Sequence, residues 1–262
     1  MSISVFGDES SSSAIAGYGL IAFLEADLIA VDRLVSAAKA KLKATADEPL
    51  HCKVLFHGDR RLKSAFSNAT RADVEAVCQD LIAAVARMTS TFYFGRVDRA
   101  KAPRVLHVPL VDNGEPNVVV YDKMKMELEH LQYFAYGAAA TRACHTLTYP
   151  VTQALADENK SVVRWFNERA QASRLLQRLW MDDTLPSWPK VTLANDRDHP
   201  GLQVADVLTY FATKQFREPW FAQAFDIIRH KTHFMVHEFD EQVHRPYEAP
   251  LGVTVRTMRP KR

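Results

Sequence analysis

Cysteine is scarce in this 262-residue chain. The three cysteines, Cys52, Cys78 and Cys144, lie too far apart for a CxxC metal or redox motif. A sparse and odd number of thiols is typical of reduced cysteines that pack in or near a core. The sequence therefore gives no sign of a disulfide framework and favours a reducing compartment such as the cytoplasm.

Long hydrophobic runs are also missing. The longest, residues 14–24, falls short of the ~18 residues needed to cross a bilayer, and Glu25 and Asp27 follow it. The N-terminal segment MSISVFGDES includes two acids and no basic start, unlike a secretory signal. We therefore expect a cytoplasmic protein that does not associate with membranes.

Three common nucleotide-binding or catalytic motifs are absent. The chain contains no G-x-x-x-x-G-K-[ST] loop, no G-x-G-x-x-G fingerprint and no G-x-S-x-G elbow. These absences argue against a P-loop nucleotide site, a Rossmann dinucleotide site and a serine hydrolase of the nucleophile-elbow type.

The charge is nearly balanced, with 33 Lys and Arg against 31 Asp and Glu and a formal net charge of +2. Proteins that bind duplex DNA through its phosphates usually carry a larger positive excess. Basic residues do cluster locally, but such a cluster is more often a solvated surface than a nucleic-acid groove. The clusters are Arg60, Arg61 and Lys63; Arg96, Arg99, Lys101 and Arg104; and Arg256, Arg259, Lys261 and Arg262. Charge alone leaves the partner open.

The chain does have enough apolar material for one large core. Hydrophobic residues make up 47% of it and aromatic residues 10%, while charged residues account for 24%. That balance is typical of a globular domain and not of a disordered chain or a coiled coil. We expect residues 1–262 to form a single domain, which is within the length range of α/β enzymes. A homo-oligomer is left open.

Alternation of apolar and polar residues predicts the strands. Residues 3–6 predict a first strand, GDES at 7–10 a turn, and residues 14–23 a second strand, so that the two strands form a hairpin. Further strands are predicted at 91–97, 147–156 and 190–194.

Helical spacing of apolar residues predicts helices at 27–43, 118–144, 161–181 and 201–217, and another that begins at Thr70. Thr70 and Asp73 have the spacing of a capping box. Residues 101–116, which contain three prolines, predict a loop.

This order of elements predicts an α/β fold with a mixed five-stranded sheet. The sheet combines an antiparallel meander with parallel strands and is flanked by helices. A helical insertion is expected at about residues 25–88, and a C-terminal extension of mixed pattern at about residues 218–262.

Two of the predicted strands end in the same dipeptide, Asp8-Glu9 and Asp157-Glu158. If the strands are parallel neighbours, Asp8 and Asp157 meet at one edge of the sheet. Two carboxylates at such a short distance repel each other, and a hard divalent cation such as Mg²⁺ or Mn²⁺ removes that repulsion. The alternative is that Asp8 favours a turn and Asp157 caps the following helix. Because the same dipeptide follows both strands, the sequence supports the metal site and the turn-and-cap alternative about equally.

A third acid, Asp206, lies on the predicted helix 201–217. At ~100° per residue, the helix has a single polar stripe that includes this carboxylate. The stripe consists of Gln203, Asp206, Tyr210, Lys214 and Arg217. Such a stripe is often only the solvent face of a helix, so the spacing does not by itself predict a site.

Three segments occur in a recognisable combination: GDES at 7–10, the acid Asp157 after a later strand, and PGLQVADVL at 200–208. Together they resemble the domain-of-unknown-function 3800 family, and LQxAD at 202–206 is the most specific part. The resemblance covers about residues 3–217. It implies a ribonuclease H-like fold and a metal-dependent phosphodiesterase.

The resemblance also implies roles for individual residues. The metal ligands would be Asp8, Asp157 and Asp206. Glu9 stands beside Asp8, and Gln203, one turn before Asp206, would orient the substrate or a metal-bound water. A Glu-x-His element of the family corresponds to EPLH at 48–51, where one extra residue separates the acid from His51. The predicted catalytic residues are Asp8, Glu9, His51, Asp157, Gln203 and Asp206.

Clustered carboxylates suit phosphodiester hydrolysis because they can hold two metal ions ~3.5–4 Å apart, one activating water and one stabilising the leaving oxygen. Candidates for phosphate contacts are Lys53, Arg197, His199 and Lys214, each of which is more often merely exposed. The leading hypothesis is a Mg²⁺- or Mn²⁺-dependent nuclease that acts on RNA or DNA. The alternatives are a non-catalytic nucleic-acid-binding or regulatory module with the same fold, and a phosphohydrolase of small nucleotides.

A second metal site is a weaker possibility. His230, His233 and His237 would share one face of a helix and could then bind zinc. The same segment is equally compatible with a strand or a turn-rich tail, which makes zinc the less favoured interpretation.

Overall fold

A computed structural model describes residues 1–45, 47–110, 118–157, 189, 191–239 and 254–257, with side chains for all of these except 106–110, 118–124 and 254–257. The strands are β1 Ile3–Ser11, β2 Ile15–Leu24, β3 Ser90–Asp98, β4 Val105–Leu110, β5 Val118–Lys125, β6 Val151–Asp157, β7 Val191–Ala194, β8 Thr232–His237 and β9 Thr254–Thr257. The helices are α1 Leu28–Lys41, α2 Cys52–Leu55, α3 Gly58–Leu62, α4 Arg71–Arg87, α5 Leu128–Thr146, α6 Pro200–Lys214 and α7 Pro219–Asp226.

The main sheet has six strands in the order β7-β6-β1-β2-β3-β8. Strands β1, β2 and β3 form an antiparallel meander, while β6 pairs parallel to β1, β7 parallel to β6, and β8 parallel to β3. The prediction of a mixed α/β fold with a helix-flanked sheet is confirmed. The predicted strand count of five is wrong, because β8 lies in the tail segment for which the sequence pattern gave no clear element.

Helices cover both faces of this sheet. Alternate residues of β1 point to opposite sides, so Phe6 packs in one hydrophobic core and Val5 in the other. The first core also includes buried residues of α1, α4, α6 and α7, and we call this side the α6 face. The second core is closed by α5, and we call that side the α5 face.

Two glycines of β2 allow α6 to lie directly on the sheet. A Cβ atom at Gly19 would stand 2.0 Å from the Oγ1 atom of Thr209, and one at Gly17 would stand 3.1 Å from the Oγ1 atom of Thr213. Any larger residue at Gly19 would therefore push the helix away. This close approach brings the first turns of α6 over β1.

Several local predictions are confirmed. β1 and β2 pair as an antiparallel hairpin, and α1 falls within the predicted helix at 27–43. At the start of α4, Thr70 and Asp73 form the predicted capping box, in which each side chain accepts a hydrogen bond from the other's backbone N–H.

Other local predictions are corrected. GDES at 7–10 is not a turn, because β1 continues to Ser11 and pairs with β2 along that whole length. The predicted helix at 118–144 is instead strand β5 followed by helix α5, and β4 forms within the predicted loop at 101–116. Strands β4, β5 and β9 make a separate three-stranded sheet. The helix predicted at 161–181 lies outside the described residues.

None of the helices in the described part of the chain is both long and apolar enough to cross a membrane.

Candidate active site

Asp8 and Asp157 lie side by side because their strands are parallel neighbours. The pairing of β1 with β6 runs as far as Gly7 opposite Ala156, and each acid is the next residue along its strand. Phe6 and Leu155, two residues before the acids, both belong to the core of the α6 face. By strand alternation, both carboxylates therefore point toward α6. The condition on which the sequence argument depended, that these two strands are parallel neighbours, is met.

Asp206 reaches the same place from helix α6. Its carboxylate is in hydrogen-bond contact with Asp8, and both residues are buried, at 8% and 5% exposure. Burial raises the pKa of Asp8 well above its usual value, and the charges of Asp206, Glu9 and Asp157 raise it further. Burial and the neighbouring acids therefore favour the protonated form of Asp8 when no cation is present.

His51 and Cys52 complete the surroundings of Asp206. The backbone N–H of Cys52 donates to Oδ2 of Asp206 at 2.7 Å, and Nδ1 of His51 lies 3.0 Å from the same oxygen. The hydrogen bond with Asp206 raises the pKa of His51 above its usual value, against the opposing effect of burial. The His51 side chain is 35% exposed and lies at the boundary between the acids and solvent.

A fourth acid, Asp196, belongs to the same group, and the sequence reasoning missed it. Burial raises the pKa of Asp157 to about 6, and the charge of Asp196 is the next largest cause. Burial also raises the pKa of Asp196, whose neighbours include His51 and Asp206. Asp196 follows the end of β7, itself a parallel strand, so the strand-end reasoning used for Asp157 could have found it.

Gln203 connects the two loops that border the site. Its Oε1 atom accepts a hydrogen bond from the backbone N–H of Leu50 at 3.0 Å, and its Nε2 atom donates to the carbonyl oxygen of Asp196 at 2.7 Å. The residue is only 1% exposed. In place of the predicted contact with substrate or a metal-bound water, the amide is therefore engaged in positioning the loops that carry His51 and Asp196.

Glu9 lies on the other side of the sheet. It pairs across the hairpin with Tyr18, which belongs to the core of the α5 face, whereas Asp8 faces α6. The family resemblance implied that Glu9 stands beside Asp8, and the sequence pattern separately predicted a turn at GDES. A continuous strand separates them, so Glu9 is buried among the residues of the α5 face.

The basic residues predicted to contact phosphate are spread around the site. Lys53 is close enough to His51 to oppose the protonation of its imidazole. The Nζ atom of Lys214 lies 5.4 Å from the ring centre of Tyr210, two turns along α6 from Asp206. Arg197 and His199 lie between β7 and α6, where His199 precedes the first residue of the helix.

The three histidines considered for zinc do not share a helix. His230 lies in a 3₁₀ turn, while His233 and His237 lie in β8. The rings of His233 and His237 stack on Tyr93 and Phe134, at centroid distances of 5.1 and 4.7 Å. The helical arrangement is therefore wrong, and β8 explains the two strand histidines as packing residues of the α5 face.

The acids suit a hard cation by their chemistry, since carboxylate oxygens are preferred ligands of Mg²⁺ and Mn²⁺. Among the residues that the structure describes, no group of three or more His, Cys, Asp or Glu side chains is arranged so that it could hold a metal ion. Asp8 and Asp206 are a contacting pair of carboxyl groups, and Asp157 lies near enough to raise the pKa of Asp8 further. The acids therefore match a metal ion in the type of donor atom and in charge.

Fold and site together define a mixed α/β protein in which one helix brings an acid to three others on the parallel strands β1 and β6 and after β7. No protein-family model matches the chain, and no curated protein matches it either. The resemblance to the domain-of-unknown-function 3800 family therefore remains a prediction that depends on the motif residues.

We expect the metal-free protein to become more stable as the pH falls from about 7.5 to 5. The raised pKa of Asp8 and Asp157 means that the folded state binds protons more tightly than the unfolded state. Their stabilising contribution is complete below the unfolded value near 3.8 and is lost as the pH rises through about 6 for Asp157. A shift of that size corresponds to ~3 kcal/mol for a fully buried group, and solvent screening of the partly exposed Asp157 reduces it to about 1 kcal/mol.

Thermal melting in EDTA across this pH range would measure the effect. The Asp157→Asn variant should show a smaller gain on acidification than the unmodified protein. A melting temperature that stays constant or falls between pH 7.5 and 5 would contradict the expected protonation of the acids.

Proposed function

We propose that the protein is a Mg²⁺- or Mn²⁺-dependent nuclease that hydrolyses phosphodiester bonds in RNA or DNA. The observation that carries the proposal is the convergence of Asp8, Asp157, Asp196 and Asp206. Asp8 lies within β1, Asp157 ends β6, Asp196 follows β7 and Asp206 belongs to α6. Each of these acids is close enough to at least one other to raise its pKa or to have its own pKa raised. Such crowding raises the free energy of the metal-free state, which is typical of sites that bind a cation.

Each residue then has a defined task. Asp8 and Asp206 would hold the metal, with Asp157 beside Asp8, and the bound metal would activate water and stabilise the leaving oxygen. His51 is fixed through Nδ1 by Asp206, which leaves Nε2 as the atom that exchanges a proton with the reacting groups. Asp206 thereby orients the imidazole as well as serving as a ligand, and Gln203 keeps the His51 loop in place.

The test is cleavage of labelled single-stranded and double-stranded RNA and DNA with Mg²⁺, Mn²⁺ or EDTA. We expect metal-dependent cleavage that Asp206→Ala lowers by at least about 10³-fold, as for loss of a main electrostatic group in a catalytic site. Asp32→Asn, a carboxylate change on the exposed side of α1, should retain full activity.

Other outcomes would point to the alternative functions. Hydrolysis of nucleotides without cleavage of any polymer would favour a small-nucleotide phosphohydrolase. Nucleic-acid binding without hydrolysis of any substrate, with or without metal, would favour a non-catalytic module and would contradict the nuclease proposal.

A further inference from the structure

A group of basic residues surrounds the tip of the β1–β2 hairpin, and the proposed chemistry does not use it. Three of them, Arg96, Arg99 and Lys101, form one of the basic clusters of the sequence. The turn after α6 adds Arg217 and the aromatic ring of Phe216. We call the surface formed by Arg96, Arg99, Lys101, Phe216 and Arg217 the hairpin-tip groove.

The charged groups of the hairpin-tip groove are held in place by specific contacts. The guanidinium carbon of Arg96 lies 4.6 Å from the ring centre of Phe216. The Nη1 atom of Arg99 donates to the carbonyl oxygen of Ser12 at 2.8 Å, and Arg217 donates to the hydroxyl of Ser13 at the same turn. These contacts place Arg96, Arg99 and Arg217 around the turn.

Phe216 is an unusual residue for such a surface. It is 46% exposed, although a large aromatic side chain is stabilised by burial. One side of its ring is covered by the planar guanidinium of Arg96. An exposed aromatic ring backed by an arginine is the kind of platform on which an unpaired base stacks.

A cavity of about 720 Å³ opens between this platform and strand β8. Its lining combines basic, aromatic and aliphatic groups with two acids, Asp98 and Glu238. The volume lies within the range of small-ligand sites, so the cavity admits single nucleotides and not a base-paired helix. The two acids are acceptors of the kind that bond the amino groups of bases. The two cations of the lining, Arg96 and Lys101, match the phosphates.

The groove lies on the same face and at the same end of the sheet as the acids. Asp8 pairs with Gly19, which pairs with Phe94, and two residues further along Gly17 pairs with Arg96. Phe94 belongs to the core of the α6 face, so Arg96 also points to that face. Two strand spacings and two residues separate Asp8 from Arg96, a backbone distance on the order of 12 Å.

We propose that the hairpin-tip groove binds a single-stranded segment of nucleic acid next to the phosphodiester bond held at Asp8 and Asp206. This inference rests on the proposed nuclease function and names its substrate as unpaired RNA or DNA. Phosphates of the strand pair with Arg217, Arg99 and Arg96 as it leaves the acids, and a base stacks on Phe216.

The experiment separates binding from cleavage. Affinity for a short fluorescein-labelled oligodeoxythymidine is measured by anisotropy in EDTA, at salt concentrations from about 50 to 200 mM. Phe216→Ala should weaken binding about 10-fold without changing the salt dependence, because stacking releases no counterions. Arg96→Ala should weaken binding and also reduce the slope of log affinity against log salt by about 0.7.

Two matched variants serve as controls. Ile29→Ala removes an apolar side chain that is 67% exposed on α1, and Arg87→Ala removes an exposed arginine beside the cavity at the opposite end of the sheet. Neither should change the affinity or the salt slope by more than the experimental error. Equal losses in the control and groove variants would overturn the inference, as would equally tight binding of a duplex of the same length.

The two proposals fail in different ways. Binding that depends on Phe216 and Arg96, without cleavage under any metal condition, would retain the groove and reject the nuclease. Metal-dependent cleavage that is unchanged in Phe216→Ala and Arg96→Ala, with unchanged affinity, would retain the nuclease and reject the groove.

Discussion

Asp8→Asn is expected to abolish cleavage and, at the same time, to raise the melting temperature of the metal-free protein. Asn keeps the size and hydrogen-bonding capacity of Asp8 but needs no proton. Burial and the charges of Asp206, Glu9 and Asp157 disfavour the ionised form of Asp8, so folding must either bury that charge or take up a proton. Removing this cost stabilises the fold by about 1–2 kcal/mol, or a few degrees at this chain length. Activity should fall by at least about 10³-fold, because the residue that shares the cation with Asp206 is gone.

Melting with and without Mg²⁺ or Mn²⁺ checks both parts of this expectation. In the unmodified protein a bound cation would neutralise the crowded acids, so it should raise the melting temperature. In Asp8→Asn that gain should largely disappear. Asp8 would be an ordinary buried residue if the variant melted at a lower temperature than the unmodified protein and responded equally to metal.

Gln203→Ala is expected to lower the free energy of unfolding by about 3 kcal/mol. One buried and one partly buried hydrogen bond are lost, which leaves the N–H of Leu50 and the carbonyl of Asp196 without these partners. Each buried polar group left unsatisfied costs about 1–3 kcal/mol. The two loops that position His51 and Asp196 would also separate, so cleavage should decrease together with stability.

Denaturant unfolding of Gln203→Ala and Gln215→Ala measures the stability lost at two glutamines whose amides each donate one hydrogen bond and accept one. The Gln215 amide donates to the carbonyl of Ala212 and accepts from Arg229, but in a solvent-accessible position. Water replaces those partners, and Gln215→Ala should cost less than about 1 kcal/mol. Equal losses of stability in the two variants would show that Gln203 does not connect the loops as the structure indicates.

Local signals in the sequence were sufficient for the first half of the fold. The hairpin of β1 and β2 and the capping box at Thr70 depend on neighbouring residues only, so pattern and spacing predict them. The prediction of one helix at 118–144 was wrong because apolar runs do not distinguish strand from helix. β5 is stabilised by pairing with β4 and β9, which no local pattern reveals.

The site was predicted in part, for a similar reason. Asp8 and Asp157 follow from the rule that parallel strands bring their carboxyl ends together, and Asp206 from the motif on α6. Asp196 follows a strand of only four residues, so its strand-end position was a weaker signal. Glu9 was misplaced because GDES resembles a turn, whereas pairing with β2 extends β1 through it.

By itself the sequence determined which elements form where local spacing is strong, and that Asp157 stands at a strand end and Asp206 on a helix. Only the tertiary structure decided which of those carboxylates share a face, because strand order and helix placement depend on contacts far apart along the chain. Gly19 shows the reason: without a side chain there, α6 lies against β2 and carries Asp206 to Asp8.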